Sequence, residues 1–265
     1  MMRRLSMLFL LILFLFSACQ EKEAQVPLPT EAKPEEVQTA IIKTQNAPPP
    51  GFDSIAFNPI DYNREKLPGW AFEVTVTFTG QYTVTGEEAT GYMLMRVWEN
   101  SVLRQRRVLL QFDGEALSGS VTRIEAVRVE NDFYLVDSNR ICTINNEAAQ
   151  DIATLSAGRI VGGFTLAIPT GRVDQLLEFP AYQYGFDKNN LQISIFQEQP
   201  STVDILGGEA WLIPELNVVG RFGVGMNVHN AKILFGENAV TGELNYQYNL
   251  VDVNETQDIA IPNGC

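Results

Sequence analysis

Few side chains in this 265-residue sequence are of the kinds that do chemistry. Three are cysteines, Cys19, Cys142 and Cys265, and a single histidine, His229, accompanies them. In an oxidising compartment Cys142 and Cys265 form an even pair that reads as a disulfide. Such a bridge closes a loop of over ~100 residues and contributes about 2–4 kcal/mol. Two free thiols are the alternative, because no spacing rule joins cysteines so far apart. A metal site is not expected, since only His229 could complete it with these thiols. As a general base His229 lacks a nucleophile at readable spacing, and a structural or solvent-facing role is expected.

The remaining polar groups point no more sharply to catalysis. Gly-x-Ser-x-Gly, His-Glu-x-x-His, the Walker loop and the dinucleotide glycine fingerprint are all missing. With 32 Asp and Glu, some adjacent carboxylate pair is inevitable, so no glycosidase pair is assigned. Asp252, Asn254, Glu255 and Asp258 crowd one C-terminal turn and could ligate calcium. They lack the EF-hand glycine and spacing, which favours a solvated turn. Arg104, Arg106 and Arg107 form a basic cluster, read as a solvated strand face or as a contact for lipid phosphate. No catalytic residue, cofactor or enzymatic activity is expected.

Cys19 belongs to a different pattern. Arg3 and Arg4 precede an unbroken apolar run, Met7 to Phe16, and Phe16-Ser17-Ala18-Cys19 follows. A basic start, a short apolar stretch and small residues make a secretory signal. The run is about half of the ~20 residues that a membrane-spanning helix needs. Its ending resembles the lipobox of bacterial lipoproteins, with Phe16 where Leu is usual. That resemblance implies cleavage of residues 1–18, lipidation of Cys19 by acyl chains such as palmitate, and anchoring to an envelope membrane. An ordinary secretory signal, with Cys19 incidental, is the other reading. No second apolar run is long enough to cross a membrane, so the remainder is expected outside the cytoplasm.

Composition narrows the partners. The formal charge is −13 and the hydrophobic content 45%, which suits a domain with a sizeable core and disfavours nucleic acid or anionic headgroups as electrostatic partners. Residues 19–52 carry Pro27, Pro29, Pro34 and Pro48-Pro49-Pro50 among several glutamates. Such a segment buries too little apolar surface to offset the entropy of ordering, and it reads as a disordered tether. Residues 53–265 then form a single domain.

In that domain the apolar period is two. Phe72, Val74, Val76 and Phe78 alternate with Glu73, Thr75, Thr77 and Thr79, the pattern of a half-buried strand. Further strands are expected at Tyr92–Trp98, Arg107–Phe112, Val121–Glu130, Phe133–Val136 and Ile141–Ile144, and Tyr82–Val84 extends or pairs with the first. Later ones are expected at Leu191–Phe196, Glu209–Ile213, Val218–Val228, Ala231–Phe235 and Glu243–Val251. Two stretches read as helices. Glu147–Ala157 places Ala148, Ile152 and Leu155 at helical spacing. Thr170–Glu178 begins with a Thr N-cap, carries Val173, Leu176 and Leu177 on one face, and stops before Pro180. The predicted fold is α+β and mostly antiparallel: about 10–12 strands with two or more short helices between two groups of them.

The chain resembles the LppX/LprG-type lipoproteins and the wider LolA/LolB-like superfamily. The residues that carry the resemblance are Tyr182-Gln-Tyr184-Gly-Phe-Asp187, Gly208-Glu209-Ala-Trp211, Arg221-Phe222, the run Gly242–Asn254, and Ile259-Ala-Ile-Pro262. The resemblance covers about a third of the chain. It implies a sheet curved into a half-barrel, helices on its concave side, and a hollow that holds acyl chains. Gly220, Gly223 and Gly225 suit sharp curvature. The candidates for lining the hollow are Phe72, Val74, Val76 and Phe78, with Leu176 and Leu177 from the second helix. Trp211, Phe222, Tyr246 and Tyr248 complete the set. The implied function is binding, and transfer, of a lipid or lipidated molecule. The alternative is a structural or partner-binding envelope protein whose half-barrel is filled by its own side chains.

Overall fold

A computed structural model describes residues 46–253 and 258–265. The signal segment, Cys19 and the tether up to residue 45 lie outside the described residues, as do Asn254 and Glu255. The chain forms β1 (Ile55–Phe57), β2 (Gly69–Tyr82), β3 (Glu88–Asn100), β4 (Gln105–Asp113), β5 (Arg123–Val129), β6 (Asp132–Val136) and β7 (Cys142–Ile144). Two short helices follow, α1 (Glu147–Ala153) and α2 (Ala157–Val161). The second half is β8 (Gly163–Leu176), β9 (Phe179–Gly185), β10 (Leu191–Gln192), β11 (Thr202–Ile213), β12 (Val218–Ala231) and β13 (Val240–Val253).

These strands make one 13-stranded sheet in the order β1-β8-β9-β11-β12-β13-β2-β3-β4-β5-β6-β7, with β10 beside β8. Every pairing is antiparallel, and the sheet is open, ending at β1 and β7. The fold is thus mostly antiparallel β with two short helices among the described residues, as the periodicity predicts. The first and last long strands meet at its centre, where Val74 faces Tyr248, Val76 faces Tyr246 and Phe78 faces Leu244.

Alternation gives the sheet two unlike faces. Phe72, Val74 and Val76 are fully buried on one face, while on the other Glu73 and Thr75 are only partly covered and Thr77 is exposed. The buried face continues through Met93, Met95 and Val97 on β3 and through Phe222, Val224 and Met226 on β12. The sheet curls around this face. Phe164 of β8 lies 5.8 Å from Phe222 of β12, although three strand steps separate them, about 14 Å in a flat sheet. The first half of β8, which pairs with β1 and β10, therefore swings back over the inner face.

The rest of the cover is thin. Asn146 caps α1 by accepting from the Ala149 N–H at 2.7 Å, and Ser156 caps α2 by accepting from the Arg159 N–H at 3.2 Å. Gly162, at φ 77°, ends α2 in a conformation that suits glycine. Gly158 lets α2 meet the 55–67 segment closely, for a Cβ there would stand 2.1 Å from Pro59 Cβ. Asp61 fastens the contact by accepting from the Gly158 N–H at 3.2 Å.

Several expectations are corrected. Thr170–Glu178 is not a helix. Up to Leu176 it is the end of β8, hairpinned to β9 with Val173 opposite Tyr182 and Leu176 opposite Phe179. Its two turn residues, Leu177 and Glu178, have φ of 51° and 69°. The stretch expected as one helix over Glu147–Ala157 breaks at Leu155 into two, and its buried side is Ala149 and Ala153 rather than Ala148. Ala231–Phe235 is not a separate strand, because β12 runs through Ala231 and beyond it only Ile233 bridges to Phe196. Of Leu191–Phe196, only Leu191–Gln192 is strand.

Cys142 and Cys265 are joined by a disulfide across 123 residues. The bridge pins the chain terminus to edge strand β7. Ile259, buried nearby, donates its N–H to Gln105 Oε1 at 3.1 Å. At the other end, Asn46–Phe52 already lies against the domain. Asn46 Nδ2 donates to the Gly171 carbonyl at 3.1 Å, and the Tyr184 hydroxyl donates to the Phe52 carbonyl at 2.8 Å.

Candidate functional site

The residues named for a lipid hollow fall into three groups. Phe72, Val74, Val76, Phe78, Tyr246, Tyr248 and Phe222 share the inner face of three adjacent strands, and all are buried. Their rings fall into two groups: Trp70 stacks on Phe72 at 5.6 Å and Phe72 meets Tyr248 at 5.5 Å, while Phe222 meets Tyr246 at 6.0 Å. Phe164 and Phe186, stacked at 5.6 Å, both meet Phe222 and extend the second group toward β8. Trp211 alternates to the other side of β11 from Ala210 and lies under the Arg221 guanidinium, 6.0 Å away. Leu176 and Leu177 sit half-buried at the tip of the β8–β9 hairpin.

The inner face also holds polar atoms that hydropathy does not reveal. A 3₁₀ turn over Arg64–Lys66 lowers Arg64 onto the first of these groups. Its guanidinium lies 4.4 Å from the Trp70 ring and 4.2 Å from the Phe72 ring, and it pairs with Asp61. Both side chains of that pair are nearly closed off from solvent. A desolvated ion pair adds little net stability, but loss of either partner strands a buried charge. Arg64 Nη1, Trp70 Nε1 and the hydroxyls of Tyr246 and Tyr248 have no hydrogen-bond partner among the described residues. Burial pushes the Tyr246 phenol well above its ordinary range. Burial also pushes Tyr248 up to about 12, while the nearby positive charge of Arg64, which makes no well-formed hydrogen bond to it, pulls the other way.

Arg104, Arg106 and Arg107 do not form a cluster. Neighbours on a strand point to opposite faces, so Arg106 enters the interior while Arg107 pairs outside with Glu125 at 2.8 Å; Arg104 sits in the β3–β4 turn at φ 54°. Arg106 donates to Glu99 Oε2 at 3.0 Å, and Arg128 donates to Glu99 Oε1 at 2.7 Å. Burial lowers the Arg106 pKa, and Glu99 opposes that shift. His229 is exposed on β12, with Nδ1 3.3 Å from Thr241 Oγ1. Among the described residues no three His, Cys, Asp or Glu side chains converge on a metal position. The sequence reading missed Asp61 and Arg64, because two charged residues in a connecting loop read as solvent-exposed.

The sequence matches no family model and no curated protein. Among solved structures, it is similar to a DUF1329 family protein from Desulfovibrio piger, at 8% identity over 84% of this chain and 92% of that one, with a TM-score of 0.23. It is also similar to a putative outer membrane lipoprotein-sorting protein domain from Vibrio parahaemolyticus, at 10% identity over 82% of this chain and 90% of that one, with a TM-score of 0.22.

Proposed function

We propose that this protein is an extracytoplasmic lipoprotein, anchored through Cys19, that takes up an acyl chain of a lipid or lipidated molecule against the inner face of its sheet. The observation that carries this reading is the mismatch between that face and its cover. Several long strands present buried apolar side chains to it, and short pieces close it: three residues of β1, five of α2 and half of β8. Beneath that cover the Tyr246 hydroxyl and Trp70 Nε1 are buried without partners among the described residues, a state that costs about 1–3 kcal/mol for each group. Displacing the cover would expose an aromatic-lined trough in which each buried CH₂ of a chain contributes about 0.8 kcal/mol.

A second reading has its own support. Phe72, Val74, Val76, Phe222 and Tyr248 are fully enclosed by the protein's own side chains, as in a filled half-barrel that binds a partner or serves the envelope structurally. Native mass spectrometry decides between them, using the Cys19→Ser chain exported to a periplasm and purified without detergent. The lipid reading expects a mass excess that organic extraction removes and resolves into defined lipids. An apo mass that stays unchanged after incubation with cell lipid extract overturns it in favour of the filled core. The anchor is tested separately: a clickable fatty acid should label the wild type and not Cys19→Ser, and equal labelling of both rejects it.

A further inference from the structure

On the side of the sheet opposite the core, a groove of about 630 Å³ runs across β11, β12, β13 and β2, with Gln183 of β9 at one end. We propose that this groove binds a neutral saccharide chain. The proposal is independent of the lipid reading, because it concerns the other face of the sheet.

The groove exists because side chains are missing from it. Gly207 and Gly225 face each other across β11 and β12, and Gly223 faces Glu209 on one side and Gln247 on the other. The fold does not require glycine at two of these positions. A Cβ on Gly207 would meet nothing within 4 Å, and one on Gly223 nothing nearer than 3.6 Å. Neither has a positive φ. Curvature therefore does not account for Gly223, although crowding by Leu176 and Ile213 does restrict Gly220, and a Cβ on Gly225 would press on the Asn245 amide oxygen. Glycine in a strand interior weakens the sheet. Here it leaves open a space that a side chain would fill.

The chemistry of the walls selects the ligand. They carry the hydroxyls of Thr75 and Thr77, the amides of Gln183, Asn245 and Gln247, and the carboxylate of Glu209. Among the described residues no lysine or arginine lines the groove, so none balances an anionic ligand against Glu209. Several of these groups are held in place. Gln183 Nε2 donates to Glu209 Oε2 at 2.7 Å while its Oε1 accepts from the Thr170 hydroxyl at 2.8 Å, and Asn245 Nδ2 donates to Glu243 Oε1 at 2.8 Å. Fixed amides and a carboxylate, each able to take a hydrogen bond, match the closely spaced hydroxyls of a sugar. Tyr92, 39% exposed, stands directly opposite Thr77 on the next strand and offers a ring against which a sugar can stack. A peptide is a poorer match. The groove crosses the middle of the sheet, where backbone N–H and C=O groups are already paired, and it has no apolar pocket for side chains.

The test titrates chitohexaose and maltohexaose into the exported Cys19→Ser protein, with backbone amide shifts as the readout. At least one sugar should shift amides of Gly207, Gly223 and Asn245 as a saturable function of concentration. Gly223→Leu, which fills the groove, and Glu209→Ala, which removes a wall acceptor, should each weaken that binding by about tenfold or more. Glu209→Ala strands Gln183 Nε2, so its urea midpoint should fall somewhat while the unfolding transition stays single and cooperative, and the result stands even where Gly223→Leu folds poorly. The proposal is overturned if neither sugar shifts these amides at about 10 mM, or if both variants bind as the wild type does.

Discussion

Arg106 on β4 donates from Nη2 to the carbonyl oxygen of Leu155 at 2.6 Å, so one buried guanidinium joins the sheet to the break between the two helices. The same side chain holds Glu99, which Arg128 holds from β5. Substitution by Met keeps much of the volume and removes every one of these bonds. It leaves the Leu155 carbonyl unpaired and Glu99 short of one partner. Arg106→Met should therefore lower unfolding stability by about 3 kcal/mol, read from urea denaturation followed by tryptophan fluorescence. A loss below about 0.5 kcal/mol would mean that the cover is not held through Arg106.

The Cys142–Cys265 bridge should contribute about 2–4 kcal/mol, mostly by restricting the unfolded chain. Cys142→Ser and Cys265→Ser are expected to lower the urea midpoint equally. Hydrogen exchange should show Ile259 and strand β7 losing protection first. Unequal effects of the two single variants would show that one cysteine has a role outside the bridge.

Alkaline unfolding should follow the buried phenols. Tyr248 is held up to about 12 in the folded protein, against 10.0 for an unperturbed tyrosine. Tyr184 is also pushed up to about 12, through burial and the nearby charge of Asp53. Between pH 10 and 12 the folded state keeps protons that the unfolded state has released, so stability falls as pH rises. For Tyr248 the slope approaches about 1.4 kcal/mol per pH unit at most. Below pH 10 both states are protonated and these groups contribute no slope. Tyrosinate absorbance should therefore appear together with unfolding. Tyr248→Phe should reduce the pH dependence above 10 and leave neutral stability equal or higher, since it removes a hydroxyl without a hydrogen-bond partner among the described residues.

Gly158→Val places a branched side chain where Pro59 and Asp61 already stand. The expected cost is about 1–3 kcal/mol, because the 55–67 segment must lift from α2. If the inner face receives acyl chains, the same variant should bind a fluorescent fatty acid faster than the wild type. Slower uptake together with the stability loss would show that the cover does not gate that face.

Part of the fold is readable without coordinates. Alternation in Phe72–Thr79 and in Glu243–Val251 places two strands and identifies which side of each is buried, because a period of two survives wherever one face is wet and the other dry. Cys142 and Cys265 read as a pair because they are the two cysteines that remain after Cys19 in a chain read as exported. The β8–β9 hairpin does not read. Its turn residues Leu177 and Glu178 adopt left-handed φ without the Asn or Gly that usually marks such a turn, and Thr170 and the spacing of Val173, Leu176 and Leu177 imitate a capped helix. Pairing with β9 and contact of Leu176 and Leu177 with the core outweigh that local preference.

The site divides in the same way. Residue types and their order determine that Phe72, Val76, Phe222, Tyr246 and Tyr248 face inward, since that follows from alternation within each strand. Only the tertiary structure decides that Arg64 leaves its loop to lie over Trp70 with Asp61 paired to it, and that Arg106 turns inward while Arg107 turns out. It alone decides that Gly207, Gly223 and Gly225, far apart in sequence from Thr75, Thr77 and Gln183, combine with them into one groove. Hydropathy along a chain records which side of a strand is dry. The neighbours that a loop or an outward residue meets are set by strand order and curl, which depend on pairings between residues distant in the chain.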